Sequence, residues 1–176
     1  MPALTVPRQP WPENFPTILT HCTQLERDSS PYFAAAKSGD RSAALTLVAT
    51  KLSPEAMNEL HKRLPGDCLV IGVAALELTG FNAIPDAMAH DIGALLHRPV
   101  WEGVIQANRV AHTKASGWHR LVTPALFEGL VEPGRDYLLV DDHVGLGGTL
   151  ANFRGHIESQ GGAGRGHDDA LGQPGR

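Results

Sequence analysis

Hydrophobic positions fall into two kinds of pattern along the chain. Cys68–Val73 and Tyr137–Val140 are short uninterrupted apolar runs, the pattern of strands buried on both faces of a parallel sheet. Elsewhere apolar residues recur at helical spacing. Ala44, Leu45, Leu47 and Val48 follow Asp40, a side chain suited to capping a helix. Met57, Leu60 and Leu64 follow Ser53-Pro54-Glu55, which offers an N-cap, a proline at the first helical position and an acid in the first turn, and Pro65-Gly66-Asp67 stops that helix. Ile84, Met88, Ile92 and Leu95 form the inner stripe of a predicted helix Asn82–Leu96. Leu150, Phe153 and Ile157 share one face of a helix that ends near Gln160, with Gly161 as its cap. Helices are also predicted over Thr17–Arg27 and Tyr32–Lys37, and a strand over Pro99–Ile105 that Gly103 weakens. Glu132-Pro-Gly-Arg-Asp136 has Pro and Gly in type II turn order and leads into Tyr137–Val140. The alternation predicts an α/β fold: an open parallel sheet with flanking helices and right-handed crossovers.

Three stretches lack either pattern. Residues 1–16 carry Pro2, Pro7, Pro10, Pro12 and Pro16 and read as an extended arm. Gln106–Trp118 is a long polar loop, of the sort that is functional or disordered inside a compact domain. Gly161–Arg176 has only Ala163, Ala170 and Leu171 as apolar residues, so it reads as a disordered tail, with the C-terminal strands of the sheet missing or replaced by it. With third bases chosen freely, the codons of Gly162–Leu171 read one nucleotide later allow Gly-Arg-Val-Val-Gly-Thr-Thr-Thr-Leu, a strand-like run; a frameshift is therefore the hypothesis for the tail. The organisation expected is an arm over 1–16, one α/β domain over 17–160 and a tail over 161–176.

Composition narrows the class. With 176 residues, 42% of them apolar and 19% charged, the chain has the make-up of one globular domain. A net charge of −4 gives no general case for nucleic acid as a partner. Cys22 and Cys68 lack C-x-x-C spacing and suit a reducing compartment, and no apolar run is long enough for a membrane span or a signal peptide, so a cytoplasmic protein is expected. A homodimer is among the assemblies this allows.

The candidate chemistry gathers at Tyr137–Thr149. The apolar run ends in Asp141 and Asp142, where open α/β sheets bind ligands, and then passes His143, Val144, Gly145, Leu146, Gly147 and Gly148 to Thr149. The glycines let consecutive N–H groups point at one phosphate, and the helix beginning there adds a favourable dipole. Carboxylates beside such a cradle repel an anion, so they suit sugar hydroxyls or a divalent cation, and the ligand implied is a sugar phosphate. A tight glycine turn beside a solvated acid pair is the plainer alternative.

This stretch resembles the binding motif for phosphoribosyl pyrophosphate (PRPP) in type I phosphoribosyltransferases: an apolar strand, two acids and a short loop ending Gly-Gly-Thr. The resemblance implies transfer of a phosphoribosyl group from PRPP to a nucleobase-like acceptor with release of pyrophosphate, assisted by Mg²⁺. It places Asp141 and Asp142 at the ribose hydroxyls, directly or through water on the metal, and the backbone of Val144–Gly148 with Thr149 at the 5-phosphate. By position, Ala74, Ala75 and Leu76 match the pyrophosphate loop, with Glu77 beside them either functional or solvated. Gln106–Trp118 matches the mobile hood, whose Arg109 and Lys114, with Arg120, face the leaving group; His112 and His119 read as surface residues. Gly145 stands where some purine enzymes carry an acid, which argues against a hypoxanthine or guanine mechanism that relies on one. Two alternatives stay open: a non-catalytic regulator sensing PRPP or a nucleotide, favoured by a basic strip of Arg109, Lys114, Arg120 and Arg154, and an inactive truncated remnant.

Overall fold

The computed structural model describes residues 9–11, 13, 18–77, 80–108, 124–145 and 147–171, with the backbone alone for Glu77 and for 165–171. Its centre is a four-stranded parallel sheet in the order β1 (Leu19–Cys22), β8 (Ala163–Leu171), β7 (Asp136–Asp141), β2 (Leu69–Gly72). The α/β class and the parallel sheet with flanking helices are therefore present. Successive residues of a strand face opposite sides, and the two apolar runs are divided accordingly. Val70, Leu138 and Val140 join a core with α3 (Arg41–Lys51), α4 (Pro54–Arg63) and α5 (Ile84–Leu96). Leu69, Ile71, Tyr137 and Leu139 join a second core with α6 (Gly148–Ser159) and the antiparallel pair β5 (Val104–Gln106) and β6 (Phe127–Gly129). Both faces are covered, which is why these strands carry no polar alternation.

Local chemistry sets the helix starts. Asp40 accepts a hydrogen bond from Ala43 N, and Ser53 Oγ accepts one from Ala56 N with Pro54 in the first turn. In α5, Ile84, Met88 and Ile92 are fully buried, but Leu96 completes the stripe and Leu95 is 61% exposed. Gly72 ends β2 because α5 crosses it closely: a Cβ there would lie 2.5 Å from the Pro85 carbonyl oxygen. Between β2 and α5 the chain makes a small hairpin of β3 (Leu76–Glu77) and β4 (Gly80–Phe81).

Three expectations need correction. The helix expected over Thr17–Arg27 is instead β1 followed by a short α1 (Gln24–Asp28). Thr23 forms a capping box with Glu26, each side chain bonding the other's backbone N–H, which fixes the helix start after the strand. The strand expected over Pro99–Ile105 shrinks to a bridge from Val100 to Val70 at the outer edge of β2, and the chain then leaves for β5.

The third correction concerns the tail. Ala163–Leu171 is not disordered but forms β8, between β7 and β1, and the sheet's C-terminal strand is not missing. A parallel ladder is made of main-chain groups, so a strand between two templates needs no apolar side chains for its hydrogen bonds. The glycines at its start fit tight places: a Cβ on Gly162 would lie 2.8 Å from Ile157 Cγ2, and one on Gly164 2.9 Å from Arg154 Cγ. Residues 172–176 lie outside the described residues, as do 1–8, 12 and 14–16 of the arm and Thr17.

Candidate functional site

β7 delivers Asp141 and Asp142 to the carboxyl edge of the sheet, where Val73 N donates to Val140 O at 2.8 Å and joins the end of β2 to that of β7. Both acids are buried, at 7% and 4% exposure, and neither projects freely into solvent. Asp141 Oδ1 accepts from the Asp142 backbone N–H at 2.8 Å. Asp142 is gripped from three elements. Lys37, at the end of α2 (Phe33–Lys37), places Nζ 2.9 Å from Oδ2, and Asn82 Nδ2 donates to Oδ1 at 3.1 Å. Arg27 of α1 donates from Nη1 to the Asp142 carbonyl at 2.9 Å, with the same nitrogen 3.9 Å from Oδ2. Arg27 is itself held by Asp28 at 2.7 Å and by the Phe33 ring, whose centroid is 4.8 Å from its guanidinium carbon.

The energetics explain why two cations meet one acid. Burying a carboxylate costs several kcal/mol. One cation at the Lys37 distance returns roughly 6 kcal/mol at an effective dielectric of about 20, less its own desolvation. Burial alone pushes the Asp142 carboxyl up, but Lys37 by charge and hydrogen bond, then Arg27 and the Asn82 amide, outweigh it and hold it below the usual carboxylate range. Asn82 extends the network, since its Oδ1 accepts from Ile84 N at the start of α5. The cluster thus ties α1, α2, α5 and β7 together.

Val144 is buried in the second core and anchors the loop beyond the acids, while Gly145 is exposed. Gly147 is the residue before α6, with φ of 71° in the left-handed region and no side-chain cap for the helix. A Cβ added to Gly148 would meet nothing within 4 Å. The N–H groups of Gly148 and Thr149 have no hydrogen-bond acceptor among the described residues. Trp11 of the arm approaches from one side, with Nε1 3.4 Å from where a Gly147 Cβ would sit, and the Arg154 guanidinium lies 5.7 Å from the centre of its ring.

The residues expected at the site separate into groups. Asp141, Asp142, Val144, Gly145, Gly147, Gly148 and Thr149 lie together, with His143 between the acids and the loop. Leu146, Arg109, Lys114, Arg120, His112 and His119 fall outside the described residues. The expected pyrophosphate loop is engaged with protein: Ala74 N donates to Gly72 O, Ala75 O accepts from Asn82 N, and Leu76 pairs with Phe81 in the hairpin. Direct coordination of Mg²⁺ by Asp142 does not fit, because its oxygens already face Lys37, Arg27 and Asn82, and a further cation would compete with two in place. The sequence alone does not point to Arg27, Lys37 and Asn82. Nothing in their local pattern sets them apart from solvated residues at helix ends.

No family model matches the chain. It is 39% identical over 157 residues to Protein TraN of Escherichia coli, an alignment covering 88% of this chain and 35% of that protein. It is 35% identical over 152 residues to an uncharacterized protein of Haemophilus influenzae, covering 85% of this chain and 34% of the relative. The chain therefore spans about a third of the length of the curated relatives it matches. Neither relative is named as a phosphoribosyltransferase. This overturns the expected phosphoribosyl transfer from PRPP, the PRPP-sensing alternative, and the transferase and nucleotide-metabolism classes that came with them. Among the described residues, no helix is long and apolar enough to cross a membrane.

Proposed function

We propose that this domain is a ligand-binding module that takes a phosphate-bearing small molecule on the amides at the start of α6. The observation that carries the reading is an uncapped helix N-terminus beside an acid whose charge is already matched by two cations. The first N–H groups of a helix attract anions through hydrogen bonding and the helix dipole together. A bare Asp142 would oppose this by like-charge repulsion; paired with Lys37 and Arg27, it leaves the loop receptive. From the phosphoribosyltransferase resemblance the proposal keeps only the main-chain cradle, and no transfer step. In a TraN-like protein such a module would make up about a third of the chain.

Titration of the isotopically labelled chain with inorganic phosphate and with ribose 5-phosphate, followed by amide chemical shifts, tests this. Saturable movement of the Gly147, Gly148 and Thr149 resonances is expected. Saturable movement confined to other parts of the chain, or no movement at all, would reject the assignment.

A further inference from the structure

Away from that loop, on the solvent side of α5, three potential metal ligands converge. Asp86 and His90 stand four residues apart on the helix, one turn above the other, while Ile84, Met88 and Ile92 face the core. Glu102 comes to them from a different element, the segment leaving the Val100 bridge. His90 Nε2 lies 2.9 Å from Glu102 Oε1 and 3.6 Å from Asp86 Oδ1, and the three ligand atoms all lie within 4.8 Å of one another.

We propose that Asp86, His90 and Glu102 form a zinc-type divalent-cation site, with water completing the coordination. One imidazole nitrogen is placed between two carboxylates, and its single N–H can serve only one of them. A cation accepting the nitrogen lone pair satisfies all three groups at once. Ligands about 2.0–2.1 Å from a tetrahedral zinc stand roughly 3.3 Å apart, so side-chain rotation alone brings this set to bonding distance. The donor set selects the metal class. An imidazole with two carboxylates suits zinc and its transition-metal neighbours, whereas magnesium and calcium prefer all-oxygen shells of six or more ligands.

The frame around the ligands is fixed. Val100 is bridged to Val70, Trp101 Nε1 donates to the Leu130 carbonyl at 2.9 Å, and Gly103 is packed so closely that a Cβ would lie 2.6 Å from that indole nitrogen. Glu102 is thus held on both sides along the chain, although its own carboxylate is exposed. Charged neighbours among the described residues include Asp91, next to His90, and Arg41, whose Nη2 is 3.8 Å from Asp86 Oδ2. Arg41 approaches the oxygen opposite the one that faces His90, which leaves Oδ1 for the metal.

The test is calorimetric titration of the chelator-treated full chain with zinc chloride, repeated with cobalt(II) for its visible absorption. About one equivalent of zinc is expected per chain. His90→Ala should lose that equivalent, and Glu102→Gln should weaken binding by more than about tenfold. His61→Ala, on the exposed side of α4, should bind as the wild type does. His90→Ala is half-exposed and should melt like the metal-free parent; if it does not fold, Glu102→Gln, at a more exposed position, decides the matter. No zinc uptake by the wild type, unchanged uptake by Glu102→Gln, or a cobalt spectrum with a thiolate band would each overturn the proposal.

Discussion

β7 and β8 are neighbours in the middle of one sheet, yet they are specified in opposite ways. β7 presents Tyr137, Leu138, Leu139 and Val140 with no exposed surface at all, alternating between two cores. β8 reads Ala-Gly-Arg-Gly-His-Asp-Asp-Ala-Leu and offers little to bury. Its place is set by ladders on both sides, Asp136↔Ala163 to Asp141↔Asp169 with β7 and Leu19↔Asp168 to Cys22↔Leu171 with β1. One strand is written in its side chains; the other is templated by backbones already in place. Disturbing β7 or the site at its end should therefore cost the fold more than disturbing the start of β8.

The largest effect is expected at the end of β7. Asp142→Ala leaves Arg27 almost fully buried and Lys37 mostly buried without their shared acid, and breaking a buried pair in this way costs roughly 3–5 kcal/mol. Urea unfolding at neutral pH measures it. The pH dependence follows from the same contacts. The folded-state Asp142 carboxyl is depressed, so its contribution is present above the unfolded value of about 3.9 and is lost as the pH falls through the folded value. Wild-type stability should fall below about pH 4, and Asp142→Asn should lack that part of the fall. An identical acid limb in the two proteins would show that Asp142 is not held by these cations.

Leu139→Ala, in the middle of β7, should cost roughly 2–5 kcal/mol through lost burial and the cavity left behind. Gly162→Leu, just before β8, tests the other side of the comparison. The new side chain meets Ile157 and the Tyr137 ring, and overpacking of this kind costs roughly 1–3 kcal/mol. If the glycine variant proved the more damaging of the two in thermal melts, β8 would be specified by its own residues after all.

The same contrast explains what could be read in advance. β2 and β7 were legible because burial on both faces leaves an unbroken apolar run, and α3 and α4 because Asp40 and Ser53 carry their caps in local sequence. β8 was not, since main-chain pairing leaves no mark on side chains and a glycine in a tight fit looks like one in a flexible tail. At the site, the start of a helix just after the glycines was legible from their spacing. The partners of Asp142 were not: Arg27 and Lys37 stand far from it in sequence, and only the packing of α1 and α2 over the carboxyl edge brings them there. Asp142 reads in sequence as a ligand's contact and is met by the protein's own cations.

The smallest effect has the opposite sign, and it separates the loop's part in stability from its part in binding. Gly148 is the first residue of α6, its φ is not in the left-handed region, and a Cβ there meets open space, so Asp fits without strain. Gly148→Asp replaces a poor helix former and sets a negative charge against the helix N-terminus, together a gain of about 1 kcal/mol. The same carboxylate occupies the place proposed for a phosphate and repels it. A raised melting temperature with phosphate-induced shifts abolished is expected. A variant that melts higher and still takes up phosphate would mean that the anion sits away from those amides, and one that melts lower would mean that the glycine at the start of α6 is there for the fold and not for a ligand.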